Sequence, residues 1–426
     1  MNVAIVYSFK PSDWFSCTVI NKNLRAAYEV YFGSSNILHI DYSHDREFAD
    51  SDLDKLISNQ IKKIIFIDHK PTPIDFMKRL IQKDQEYAQQ VEYSLHIFGD
   101  FPLYLNEWRA LFLLMQDYHL KFLVASKKQK LLLDKFLQQS KLIEVSPFPV
   151  DEKKFSFNLK KSEKARLDLG LGREKVFLYT GRLSYQKRIV ELITLFLQLL
   201  RDKKIEPDSK LILVGAIDSL GVPYLSAPQI LGEYYRSIHM TLADYPDFKD
   251  NIFLVGKIDN SRLKNYYLAA DCFLSTSTYH DEDYGMAVAE ALCSGLPAIL
   301  TDWAGYSSFQ LERQPEFCQL VPTKLTTVGP QFDVEAFQQK IMAFKREHFS
   351  REEISKVYTE TLGINQCAIN LGAINKGNFE KFGETSDFMK RITNEQITRG
   401  PQDTFRSENN REYNDLYFEA YDVYAE

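Results

Sequence analysis

Twice along this chain, short apolar runs of strand length recur at intervals filled by residues with helical spacing. The first series occupies residues 3–7, 37–40, 64–67, 93–98, 122–124 and 142–145; the second occupies 176–179, 211–214, 252–255, 272–274, 298–300 and 319–321. Runs that stay apolar instead of alternating indicate strands covered on both faces, as in parallel sheets. The stretches between them carry helix-like periodicity, as at Phe76, Leu80 and Ile81. Strands alternating with helices give a parallel sheet with helices on both sides, so the expected fold class is α/β with two doubly wound, Rossmann-like domains. Ligands of such domains bind beyond the carboxyl ends of the strands, and with two of them the cleft between is the default site.

The rhythm breaks in the Lys-rich stretch 151–173, and 426 residues exceed what one core usually organises. The expected domains are therefore residues 1–155 and 156–400. A last segment, 401–426, forms a helix packing back on the body, because Tyr413, Leu416, Tyr417, Tyr421 and Tyr424 make one aromatic face.

A net charge of −6 argues against a nucleic-acid binder, which needs an excess of Lys and Arg to neutralise phosphates. The Lys-rich stretches 121–141 and 153–166 read as solvated helix faces or as a surface resting on anionic lipid. The five cysteines, at 17, 272, 293, 318 and 367, show no paired spacing for zinc or disulfides, which points to a reducing compartment. No run approaches the ~18 apolar residues of a membrane span. The expected location is cytoplasmic, with peripheral contact at the inner face of a membrane as the one membrane role.

Two constellations carry chemistry. The first, Gly181, Arg182 and Lys187, follows a strand and precedes the helical stretch 189–200. Glycine allows a tight turn, two cations stand five positions apart, and a helix N-terminus offers amides, which together suit an anion such as a diphosphate. The second runs from His280 to Leu292 after the strand at 272–274. Gly285 permits close backbone approach, and Glu282 lies in the loop feeding a helix. Glu290 lies inside that helix among Ala287, Ala291 and Leu292, where a carboxylate needs donors such as ribose hydroxyls. An acidic turn complementing the helix dipole remains an alternative for Glu282.

The ordered series Gly181-Arg182-Leu183 with Lys187, Leu213-Val214-Gly215, Val255-Gly256, Ala269-Ala270-Asp271, Ser275-Thr276-Ser277, Glu282, Gly285, Glu290-Ala291 and Gly295-Leu296-Pro297 resembles that of glycosyltransferase family 4. The resemblance covers roughly residues 175–305. It implies the GT-B fold and metal-independent, retaining transfer from a nucleotide-diphospho sugar bound by the C-terminal domain to an acceptor held by the N-terminal one, with no enzymic nucleophile and no cofactor. By position, Arg182 and Lys187 would hold the diphosphate, Glu290 the ribose and Glu282 the sugar. Gly181, Gly215, Gly285, Met286 and Ala287 would shape the donor site, and His96, with Asp100 nearby, would sit near the donor sugar. The partners implied are the nucleotide-sugar donor and a glycan, glycolipid or protein acceptor. Residues 146–151, leading to Phe155, resemble the family's hinge.

Three departures stand out. The loop after the first strand lacks the family's paired glycines, leaving Ser12 and Ser16 as substitutes for phosphate contact or Trp14 as a stacking surface for an acceptor sugar. Arg188 stands where the family commonly has Gly. Asp302, Trp303, Ala304 and Gly305 replace a Gly-Gly-x-x-Glu pattern. The altered first loop supports a second reading, a non-catalytic GT-B protein that binds nucleotide sugars or partners an active enzyme. A dinucleotide oxidoreductase is disfavoured, since no Gly-x-Gly-x-x-Gly follows the first strand.

Overall fold

A computed structural model describes residues 2–10, 15–42, 50–67, 73–99, 101–217, 232–280, 282–401, 403–408 and 412–425. The chain divides into two units, Met1–Pro149 with Gly363–Thr404 and Val150–Leu362 with Phe405–Glu426.

In the first unit the apolar runs become β1 (Val3–Tyr7), β2 (Ile37–Asp41), β3 (Lys63–Phe66), β4 (Glu92–His96), β5 (His119–Val124) and β6 (Ile143–Val145). They are all parallel and ordered β2-β1-β3-β4-β5-β6, a doubly wound arrangement. Every residue of β1 is buried, as its unbroken apolar run requires.

The expected boundary of the second domain at residue 400 is corrected here, because 363–404 belongs with the first unit. The reason lies in contacts from distant parts of the chain. Lys63 Nζ donates to Asn375 O at 2.7 Å and Lys121 Nζ to Ile374 O at 2.8 Å, closing the C-terminus of the helix Ile364–Lys376. Both ammonium groups lie over the Phe379 ring, and the short strand Glu380–Lys381 pairs antiparallel with β5. Lys121 is thus buried, neither a solvated helix residue nor a lipid contact.

The second unit holds β7 (Val176–Thr180), β8 (Lys210–Val214), β9 (Ile252–Gly256), β10 (Cys272–Ser275), β11 (Ala298–Thr301) and β12 (Cys318–Val321). Their order is β12-β11-β10-β7-β8-β9, all parallel, so the winding reverses between β7 and β10. The helix Ile189–Arg201 buries eight apolar side chains against this sheet. A hairpin, β13 (Thr323–Thr326) and β14 (Gly329–Phe332), follows. The C-terminal helix Asp415–Ala425 lies in this unit with Tyr417, Tyr421 and Tyr424 buried.

Charged side chains lock the edges of the second core. Asp271 accepts from Val176 N at 2.8 Å and from Arg346, with Arg166 3.4 Å away, so Arg166 also leaves the solvated stretch predicted for it. The half-buried Arg351 donates to the carbonyls of Tyr267, Leu268, Ala270, Ser294 and Gly295, closing the C-terminal ends of the helices Asn260–Ala269 and Met286–Cys293. No helix among the described residues is long and apolar enough to cross a membrane.

Candidate functional site

The loops that follow β7 and β10 leave the sheet on either side of its reversal point, where ligands of doubly wound folds lodge. One loop carries the two cations and the other carries Glu282. They are laced together by hydrogen bonds. Thr276 Oγ1 donates to Arg188 O at 3.0 Å, Arg188 Nε donates to Thr278 Oγ1 at 2.6 Å, and Ser277 Oγ lies 2.7 Å from Glu282 Oε2. Lys187 Nζ forms an ion pair with Glu282 Oε2, and the same ammonium lies 5.3 Å from the centre of the Tyr279 ring. Arg182 Nη2 donates to Gln186 Oε1 at 3.1 Å within its own loop.

Glycine is required where these loops approach one another. A Cβ at Gly215 would lie 1.8 Å from Gly181 O, so β8 can pass beside the cationic loop only without a side chain there. Gly285, at φ +101°, begins the helix Met286–Cys293, and a Cβ on it would stand 2.6 Å from Tyr306 Cε1. Val288 N and Ala289 N both return to Gly285 O, while the amides of Met286 and Ala287 carry no hydrogen bond among the described residues. Two such amides at a helix N-terminus suit an anion.

The other helix N-terminus behaves differently from the expectation. The amides of Ile189 and Val190 are taken by Tyr234 Oη at 2.9 and 3.1 Å. An anion beside Lys187 would therefore meet side chains on this side and not these two amides. The helix dipole expected to share that task is capped by a residue 45 positions away in sequence.

Glu290 is buried in its helix, and Oε2 accepts from Tyr267 Oη at 3.1 Å. Tyr267 in turn pairs with Thr180 Oγ1 at 2.6 Å, so a hydrogen-bonded chain joins the end of β7 to the carboxylate. Burial pushes the Glu290 carboxyl up to about 7, while the Tyr267 hydroxyl and the charge of Lys154 pull it down. Phe155, the residue to which the hinge-like segment 146–151 leads, packs its ring edge-on against Tyr267 at 5.8 Å.

The segment after β11 explains one departure in sequence. Thr301 Oγ1 donates to Ser277 O, Trp303 Nε1 donates to Tyr279 O at 2.9 Å, and Gly305 N donates to Glu282 O at 2.8 Å. These residues brace the acid-bearing loop from behind. The C-terminal helix adds a second layer, with Tyr421 against His280 at 5.6 Å and Tyr424 against the fully buried Trp303 at 5.5 Å.

His96 lies in the first unit at the end of β4, with Nε2 2.8 Å from Tyr28 Oη. It is 2% exposed, and burial drives its pKa down to about 3, which holds the ring neutral. It is a buried side chain hydrogen-bonded to a tyrosine. Asp100, Ser12 and Trp14 lie outside the described residues, and Ser16 is exposed in the helix Phe15–Phe32. Reasoning from sequence assigned no roles to Tyr267, Thr180, Tyr234, Thr278 or Ser277. Only Ser277 gave a signal, within the Ser275-Thr276-Ser277 run of the motif series.

Two doubly wound α/β units, the second reversing its strand order between β7 and β10, are the architecture of the GT-B fold. Residues 161–356 match the family model described as Glycosyl transferases group 1. The alpha-monoglucosyldiacylglycerol synthase of Streptococcus pneumoniae is 28% identical over 213 residues, covering 49% of this chain and 41% of that protein. The uncharacterized glycosyltransferase MJ1607 of Methanocaldococcus jannaschii is 26% identical over 154 residues, 35% of this chain and 34% of the relative. The matches thus span well under half the length of each relative. The crystal structure of Anabaena HepE in complex with UDP and glucose shares 12% identity and a TM-score of 0.60 over 88% of this chain and 100% of its own. Sucrose-phosphate synthase of Thermosynechococcus elongatus shares 16% and 0.59 over 88% and 98%. At these identities the structural likeness speaks for the fold alone.

Proposed function

We propose that this chain is a metal-independent, retaining glycosyltransferase of the family 4 type, moving a sugar from a nucleotide-diphospho sugar to an acceptor hydroxyl. The observation that carries this reading is the meeting of Lys187 with Glu282 at the reversal point of the second sheet, on the loop that leads into the open amides of Met286 and Ala287. In this reading Arg182, Lys187 and those amides hold the diphosphate and take up the negative charge that grows as the sugar–phosphate bond breaks. Glu290 accepts from the ribose hydroxyls and Glu282 from the sugar. The acceptor oxygen bonds to the anomeric carbon on the face the phosphate leaves, and its proton passes to a phosphate oxygen, so no side chain serves as nucleophile.

The complexes of HepE make a UDP-linked hexose the first donor to try. The pneumococcal relative's name makes a diacylglycerol-type lipid the first acceptor, a choice that would bring peripheral membrane contact with it. A thermal-shift panel of UDP-, GDP-, ADP- and CMP-linked sugars tests the reading. Binding to the native state at one hundred times Kd adds about 2.7 kcal/mol, so one donor class is expected to raise the midpoint by several degrees. A flat response across all four, at millimolar concentration, would count against any nucleotide-sugar site.

A further inference from the structure

Arg188 sits in the left-handed region at φ +51°, ψ +45°, between the short turn Tyr185–Lys187 and the helix Ile189–Arg201. A side chain there strains the backbone, and glycine would be the relaxed choice. The guanidinium is engaged on three sides. Nε donates to Thr278 Oγ1 at 2.6 Å, Nη2 donates to Pro330 O, and Nη1 lies 3.3 Å from Glu191 Oε1, with the side chain only 17% exposed. Its partners come from three separate pieces of chain. Thr278 is on the acid-bearing loop, four residues before Glu282. Pro330 is on β14, whose hairpin is seated on the C-terminal segment through Tyr413 N donating to Thr327 O at 2.8 Å and the Tyr413 ring against Gly329. Glu191 is in the first turn of the following helix.

We propose that Arg188 is a positioning residue that sets the Lys187–Glu282 geometry, clamping the cationic loop to the acid-bearing loop and both to the β13–β14 hairpin. The backbone carbonyl of Arg188 accepts from Thr276 Oγ1 while its guanidinium grips Thr278, so one residue fastens both ends of the same three-residue stretch. Lys187 precedes it directly, and its ammonium direction follows from where that fastening holds the turn. The catalytic half of this inference rests on the glycosyltransferase reading, whereas the clamp itself does not.

The test uses Arg188→Gly, which relaxes the backbone and leaves a guanidinium-sized space, so loss of fold is not expected. Hydrogen exchange of residues 276–285 should quicken at least about tenfold in the variant, and about 50 mM guanidinium chloride should return it toward the wild-type rate. Donor turnover should fall about 10- to 100-fold with nucleoside-diphosphate affinity changed less than about threefold, and guanidinium should restore several-fold of that turnover. It should restore none in Lys187→Ala. Unchanged exchange in Arg188→Gly overturns the clamp, as does an accelerated exchange that guanidinium leaves untouched while Arg188→Lys behaves identically to Arg188→Gly. A wild-type protein that binds no nucleoside diphosphate takes down the functional reading separately, and the exchange arm still decides the clamp.

Discussion

Lys187→Ala is expected to lower turnover of the sugar donor by about 10²- to 10³-fold, the loss typical when one preorganised stabiliser of a developing oxyanion is removed. The ammonium and its Glu282 partner are only 14% and 10% exposed, so water cannot replace the lost charge efficiently. The same substitution strands the Glu282 carboxylate in a buried setting, with Ser277 the remaining donor to it among the described residues. Removing one partner of a buried pair costs about 3 kcal/mol or more, and the denaturation midpoint of the ligand-free protein should fall accordingly. Adding Glu282→Gln to Lys187→Ala should recover much of that stability and none of the activity. Such a split separates the catalytic contribution of the lysine from its structural one. Full turnover by the single variant would remove Lys187 from contact with the leaving group.

Glu290→Gln should move stability and binding in opposite directions. The folded-state pKa of about 7 lies above the unfolded value of 4.5, so folding favours the protonated carboxyl. The stability that protonation provides is whole below pH 4.5 and is lost as pH rises through about 7. At about 1.4 kcal/mol per pH unit over that interval, the ligand-free wild type at pH 8 carries a penalty of up to about 3 kcal/mol that the amide lacks. The glutamine should keep its contact with Tyr267 and melt higher at pH 8. Nucleoside-diphosphate affinity should instead drop about 10- to 100-fold, because ribose hydroxyls donate best to a carboxylate. In the wild type affinity should rise about tenfold between pH 6 and pH 8 as Glu290 ionises, and the variant should lose that slope. Calorimetry across that pH range reads both slopes, and parallel profiles for the two proteins would exclude Glu290 from the nucleotide contact.

The parts of this molecule that were readable from sequence share one property, that neighbours along the chain decide them. Strands buried on both faces show as unbroken apolar runs, so most of the twelve parallel strands fall where those runs are. Arg182, Lys187, Glu282 and Glu290 stand out as candidates because strand, loop and helix follow one another in a short span. What was hidden depends on distant partners. Residues 363–404 join the first unit because Lys63 and Lys121, some 250 to 310 positions away, cap their helix, and no local pattern signals a lysine that points inward. Tyr234 silences the helix N-terminus beside Lys187 from across a stretch of other chain. The unusual Arg188 is visible in the sequence, yet its left-handed backbone and its reach to Pro330 are not.

The claim on which all of this depends is that one nucleotide bridges the cationic loop and the Glu290 helix. A crystal structure of the wild-type protein grown with UDP tests it most directly. The predicted result has diphosphate oxygens within hydrogen-bond distance of Lys187 Nζ and of the Met286 or Ala287 amide, and the ribose hydroxyls on the Glu290 carboxylate. UDP bound away from the β7 and β10 loops, with Lys187 still paired to Glu282 and Glu290 still turned only to Tyr267, would contradict it.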